Sequence, residues 1–187
     1  MKLESKTRDV RLYNVLFPIW LLLLLPTLWL AVLPANFIID SAVLIITLVV
    51  LAKKRGEDGY RPWRDWLRSI WLVWIFGFAA DIIAAGFMVL FGYFTPVVSG
   101  FESPFGVWWD DKILTPASTN PFGSIWAVVF VVIAIAFAGL LIYIFDSRIA
   151  LRRLNVTDRE RKCIALTMAI ATAPYVMLLP SEWFWRY

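Results

Sequence analysis

Long apolar stretches separated by short polar segments account for most of this chain. Each stretch is close to the ~20 residues that an α-helix needs to cross the hydrocarbon core of a bilayer. Because the stretches are continuously apolar rather than alternating, they predict spanning helices and not barrel strands. The sequence therefore predicts an all-α integral membrane protein, a bundle of five transmembrane helices in a single polytopic domain over residues 1–187. The predicted spans cover residues 13–33, 36–52, 69–94, 124–145 and 163–179.

The first stretch has an alternative interpretation as a cleaved signal peptide, since a basic start precedes the apolar run of Leu21–Leu25. The run continues through Trp29 and Val32 without a small-residue cleavage pattern, which favours a span. We expect residues 34–36, with Pro34 at their start, to form a tight outer turn between the first two spans.

Composition and charge placement define the class and the orientation. Hydrophobic residues make up 61% of the chain, which excludes a water-soluble domain. The positive-inside bias predicts a multi-pass protein of the plasma or inner membrane, with a cytoplasmic N-terminus and an extracytoplasmic C-terminus. The net charge of +4 is thus a topology signal and indicates no nucleic-acid partner. Sixteen basic residues fall inside, at 2, 6, 8, 11, 53–55, 61, 64, 68, 148, 152, 153, 159, 161 and 162, against Lys112 and Arg186 outside.

An amphipathic segment precedes the third span. Trp63 and Trp66 begin a row of aromatic and aliphatic residues at helical spacing, while Arg61, Arg64 and Arg68 fill the opposite face. We expect an interfacial helix in the inner headgroup region, with its arginines near anionic lipid head groups. It is either an anchor that fixes helix depth or a lipid-binding regulatory site.

The outer connection, residues 95–123, is the longest predicted loop, and its four prolines argue against one continuous helix. It holds an aromatic cluster beside Asp110 and Asp111, with Glu102 nearby. The segment is either a cap on the outer leaflet or a lid with a cation-attracting vestibule. Two adjacent aspartates supply too few oxygen ligands for a hard cation, so no metal site is predicted.

Asp81 is the most informative single residue, because it lies near the midpoint of the third span. A charge at that depth costs at least ~2.5 kcal/mol, so the side chain should face protein or water. Small residues share its helix face and match a small-residue surface on the fifth span, which predicts close packing of these two spans around Asp81. The predicted packing residues are Gly77, Ala84, Ala85, Ala165, Ala169 and Ala173.

Two interpretations of Asp81 follow from the absence of any Lys, Arg or His in the span cores. It is either a proton- or cation-binding carboxyl in a pathway or a protonated residue hydrogen-bonded across a helix interface. Asp40 is a second pathway candidate, predicted one turn inside the outer end of its span. Asp146, beside Arg148, is predicted to be interfacial.

The chain contains few of the residues and motifs that enzymes commonly use for catalysis. There is no His, Cys163 is the only cysteine, and no phosphate-binding loop or family motif is present, so no enzyme activity and no cofactor are predicted. The predicted function is an oligomeric proton- or cation-conducting channel or transporter, since five short helices enclose little polar volume alone. The alternatives are an accessory or scaffolding subunit bound to another membrane protein and, third, a carboxylate-based, lipid-active membrane enzyme.

Overall fold

The computed structural model describes residues 26–57, 59–100 and 102–181, with side chains from Trp29 onward. These residues are mostly helical and contain no strand. Four helical segments are long and apolar enough to cross a membrane, as in a membrane-embedded protein: Trp29–Lys54, Trp63–Ser99, Ile125–Arg153 and Asp158–Leu178. The α-helices are α1 Pro26–Lys54, α2 Trp63–Ser99, α3 Pro104–Trp109, α4 Thr115–Thr119, α5 Ile125–Arg148 and α6 Asp158–Ala171.

Helix α1 continues through Pro34 without interruption. The predicted turn at residues 34–36 is therefore wrong, and residues 26–33 belong to the same helix as the predicted second span. Proline removes one backbone donor, a loss that membrane helices tolerate. The rest of the predicted first span, residues 13–25, lies outside the described residues, and so does any test of the five-span count.

Helix α2 is one element of 37 residues, about 56 Å long at 1.5 Å per residue. This exceeds the ~30 Å hydrocarbon core, so its ends reach the interfacial regions. The predicted amphipathic helix is not a separate helix, because residues 63–68 form the first turns of α2. Trp66 is buried rather than interfacial, and its ring stacks on that of the exposed Trp63 at a centroid distance of 4.5 Å.

The outer connection is largely helical, contrary to the predicted loop. Ser103 caps α3 by accepting a hydrogen bond from the Gly106 N–H at 2.9 Å, and a π-helical turn at Asp110–Leu114 joins α3 to α4. Pro104 is compatible with this helix because it occupies the first turn, where no intrahelical donor is needed. Among the described residues from Thr95 to Gly123, those outside a helical conformation are Gly100, Glu102, Ser103 and Asn120.

Helix packing differs from the predicted pairing. Helix α2 packs against α5 and α1, and α6 packs against the same two helices, whereas α2 and α6 make no comparable contact. Ala84 and Ala85 are buried against α5. Ala165 and Ala169 are buried in the inner half of the bundle. The predicted small residues are thus packing residues, but α5 separates the two stripes over most of their length.

Two connections carry most of the described basic residues, one between α1 and α2 and the other between α5 and α6. They meet at one end of the bundle. Arg55 Nε donates to Glu160 Oε1 at 2.7 Å, and the guanidinium makes a second hydrogen bond to Glu160 Oε2. Glu160 also completes a capping box with Thr157 at the start of α6. Both connections therefore lie on the same side, as the charge pattern requires, and α2 and α5 bring Lys112 to the opposite end.

Candidate functional site

Two buried aspartates lie well inside adjacent apolar helices. Asp40 is 14 residues from the inner end of α1 and Asp81 is the middle residue of α2, and each is 5% exposed. The prediction that Asp40 lies one turn inside a helix end is wrong, because α1 continues through Pro34. A charge on either carboxyl is costly in such apolar surroundings.

Close packing of α1 on α2 brings these carboxyls together. Asn36 Nδ2 donates to Asp81 Oδ2 at 3.4 Å. One turn toward the inner end, Asp40 Oδ2 lies 3.6 Å from the position that a Cβ on Gly77 would occupy, which is an ordinary van der Waals distance. Asp40 therefore faces α2 at this glycine. In the described structure Asp81 Oδ1 is buried without a hydrogen-bond partner.

The third element of the site is a break at the end of α6. The helix stops at Ala171 instead of continuing through the predicted span to residue 179. Pro174 adopts φ −75° and ψ 64°, and the Tyr175 N–H donates to the Ala173 carbonyl at 2.7 Å, which is an inverse γ-turn. The Tyr175 hydroxyl donates at 2.6 Å to the Ile170 carbonyl, whose helical donor would have come from residue 174.

Thr172 connects this break to Asp40. Its hydroxyl donates to the Met168 carbonyl at 2.9 Å, and its side chain lines the same cavity as Asp40. A hydroxyl has a single proton to donate. With that proton given to Met168, the Thr172 oxygen offers the cavity only acceptor lone pairs.

These groups line one cavity of about 390 Å³ between α1, α2 and the broken end of α6. Its polar side chains include those of Asn36, Asp40, Asp81 and Thr172, and among the described residues no Lys or Arg contributes to it. On α1 the lining extends from Val32 to Asp40. Unwound backbone at membrane depth is typical of segments that line a cavity.

Asp146 is a third buried carboxyl, and the sequence-based interpretation of it as interfacial is wrong. It is fully buried near the inner end of α5, and within the described residues neither of its oxygens has a hydrogen-bond partner. The residue before it, Phe145, packs its ring on that of Phe76 in α2 at a centroid distance of 5.2 Å, and the next residue of α2 is Gly77, which Asp40 faces. The sequence does indicate the burial of Asp146, because this residue follows Ala138 and Ile142 at four-residue spacing on the buried face.

The remaining predicted site residues lie elsewhere. Glu102, Asp110 and Asp111 are exposed and do not line the cavity, and Asp110 accepts a hydrogen bond from Thr115 Oγ1 at 3.2 Å. Their role as an outer vestibule stays a prediction. The same holds for lipid contacts of the inner arginines, which are exposed: Arg61, Arg64 and Arg68. In the part of the chain that the structure describes, no cluster of three or more His, Cys, Asp or Glu side chains has the arrangement of a metal site.

Comparison of the chain with protein-family models, with curated proteins and with solved structures gave no match. The functional assignment therefore rests on the geometry of the buried carboxyls.

Proposed function

We propose that this membrane protein conducts protons, as a small channel or transporter, along a path that includes Asp81, Asp40 and Asp146. The observation that carries the proposal is a pair of buried carboxyls, Asp40 and Asp81, that line one cavity, with a third buried carboxyl, Asp146, on the helix that packs against α2. Buried carboxyls that serve structure alone are normally paired with a cation or fully hydrogen-bonded. Here oxygens of Asp81 and Asp146 lack such partners among the described residues.

The cavity and the three carboxyls lie along both the outer and the inner half of the proposed proton path. The cavity extends from Val32 in the outer half of α1 to the paired carboxyls at the centre. Asp146, two residues before the inner end of α5, continues the series toward the basic side. Intramembrane carboxyls in such a series are the usual elements of proton relays.

The proposed mechanism passes one proton between neighbouring carboxyls. A neutral Asp81 gives its proton to an ionised Asp40, and Asp81 remains as the anion until a proton from the cavity refills it. Asp40 then protonates Asp146, which releases the proton to the inner side. Asn36 stabilises the anionic form of Asp81, since its amide donates to the carboxylate, and the Thr172 oxygen lines the same cavity as an acceptor.

Reconstitution tests the proposal. Purified protein in liposomes containing a pH-sensitive dye, with a potassium gradient clamped by valinomycin, should acidify faster than empty vesicles. Asp81→Asn should lower the rate at least tenfold, because an amide has no exchangeable acidic proton. The matched control Asp110→Asn changes an exposed carboxyl and should keep the full rate. Equal rates in protein-containing and empty vesicles would reject the proposal and favour the accessory-subunit alternative.

Ion replacement separates protons from other cations. If protons are the conducted species, exchange of all sodium for N-methylglucamine should leave the rate unchanged. A rate that requires sodium would instead assign the two central carboxyls to a metal cation.

A further inference from the structure

A polar pocket lies between the inner ends of α5 and α6, away from the central cavity. Its volume is about 360 Å³, and its charged lining residues are Arg148, Asp158, Arg161 and Lys162. Asp158 is paired with Arg161 through Nη2 at 2.7 Å. Three cationic groups against one carboxylate leave the pocket positive. Within the described residues Arg161 Nε is buried without a hydrogen-bond partner.

An apolar groove of about 490 Å³ continues from this pocket along the same two helices. Tyr143 lines both, so pocket and groove adjoin. Small residues make the groove: a Cβ on Gly139 would stand only 3.3 Å from the Ala169 carbonyl oxygen. Leu166 and Ile170 form its exposed wall at 52% and 60% exposure.

The length of the groove matches one leaflet of a bilayer. On α5 its lining extends from Tyr143 back to Val132, which is about 17 Å at 1.5 Å per residue. One leaflet contributes about half of the ~30 Å hydrocarbon core. A positive pocket at the inner headgroup level, followed by an apolar channel one leaflet long, has the charge and shape of a phospholipid site.

We propose that the α5–α6 groove binds an anionic phospholipid of the inner leaflet. The phosphate group contacts Arg148, Arg161 and Lys162, and an acyl chain follows the groove past Gly139. Basic pockets between membrane helices on the cytoplasmic side recognise anionic head groups in this way. The site is separate from the exposed arginines at the start of α2 and does not depend on the proposed proton path.

Native mass spectrometry of the detergent-solubilised protein, titrated with phosphatidylglycerol or phosphatidylcholine of identical chains, tests the site. Wild type should retain phosphatidylglycerol at least fivefold more than phosphatidylcholine. The double variant Arg148→Gln, Lys162→Gln changes two exposed residues and should abolish that preference. Lys53→Gln with Lys54→Gln removes the same charge from two exposed positions at the end of α1 and should keep it.

A groove-filling variant tests the acyl-chain half of the proposal. Ala136 lines the groove and is exposed, so Ala136→Trp should occupy the channel without disturbing the core and lower phosphatidylglycerol retention at least fivefold. Unchanged retention in this variant would overturn the groove as a chain site. Equal losses in the two double variants would show that binding follows net charge alone, which would also overturn the proposal.

Discussion

Aromatic side chains satisfy backbone carbonyls that prolines leave without donors in this protein. Pro96 removes the N–H that would bond to the Gly92 carbonyl, and the indole N–H of Trp109 donates to that oxygen at 3.1 Å. The Tyr175 hydroxyl does the same for the Ile170 carbonyl opposite Pro174. In a membrane an unpaired carbonyl is costly, so each aromatic side chain stabilises a proline inside a spanning segment.

Replacement of Trp109 by Phe tests the first of these bonds. Trp109→Phe keeps most of the ring packing and removes only the donor, so the buried Gly92 carbonyl loses its partner. We expect a loss of about 1–3 kcal/mol in the free energy of unfolding, measured by denaturant titration in detergent. Trp108→Phe, at a neighbouring and more exposed ring, should lose clearly less. Equal losses would contradict the proposed role of the hydrogen bond.

The central residues could be predicted from sequence only in part. Asp81 is recognisable because its span is uniformly apolar and contains no basic partner. Asp146 was misassigned because the adjacent Arg148 made it resemble a helix-end residue, although helical spacing places it on the buried face. The position of Thr172 in the wall of the cavity depends on where α6 breaks, which local sequence does not determine.

At the scale of the helices, prolines in similar apolar surroundings have different outcomes. Pro34 lies within a continuous α1, whereas α6 ends at Ala171, three residues before Pro174. Local propensity treats both as helix breakers, and tertiary packing decides between them. The predicted turn at residue 34 failed for this reason, while helices α2 and α5 were predicted nearly in place by their apolar length.

Pro174→Ala tests whether this proline maintains the break beside the cavity. The new N–H can bond to the Ile170 carbonyl, so α6 should extend by about one turn and displace the Tyr175 hydroxyl. Hydrogen exchange of a peptide covering residues 168–178 should slow at least tenfold, and proton flux should fall. Pro34→Ala, in a helix that is already continuous, should leave exchange in residues 168–178 unchanged. Unaltered exchange in Pro174→Ala would contradict the account.

The ion pair between the inner connections predicts a pH dependence. Hydrogen bonds from Arg55 and then Thr157 lower the pKa of Glu160 to about 2 from 4.5. A carboxyl with a lowered folded pKa stabilises the fold above its unfolded pKa and loses that contribution as the pH falls through its folded pKa. The unfolding temperature of wild type should therefore be higher than that of Glu160→Gln at pH 6. The difference should shrink as the pH falls from about 4.5 toward 2.

Glu57→Gln is the matched control for this pair. Glu57 lies 3.5 Å from Arg55 but is more exposed than Glu160, so its replacement should change the unfolding temperature little at any pH. A difference between wild type and Glu160→Gln that stays constant down to pH 2 would contradict the assignment.

At the scale of the whole molecule, the orientation of the bundle stays a prediction from charge. The structure brings the two basic connections to one end, and the positive-inside rule predicts that this end is cytoplasmic. The homo-oligomer also stays a prediction. It was predicted because five short helices enclose little polar volume alone. That reason is weaker than it was, because the described cavity lies within a single chain. Helix lengths alone could not predict this enclosed polar volume.

Thiol labelling in intact cells tests the orientation. Single cysteines at the exposed positions Glu57 and Asp111, in a Cys163→Ser background, place one probe at each end of the bundle. An impermeant maleimide should label the position-111 variant and spare the position-57 variant until the membrane is opened. The reverse pattern would invert the topology.

Proton flux through a variant of Asp40 tests the central claim most directly, since Asp40 lines the cavity with Asp81 and is the middle carboxyl of the proposed path. In liposomes, Asp40→Asn should reduce proton flux at least tenfold relative to wild type while its thermal unfolding remains cooperative, and Asp111→Asn should retain the wild-type rate. A correctly folded Asp40→Asn protein that conducts protons at the wild-type rate would contradict a path through the three buried carboxyls.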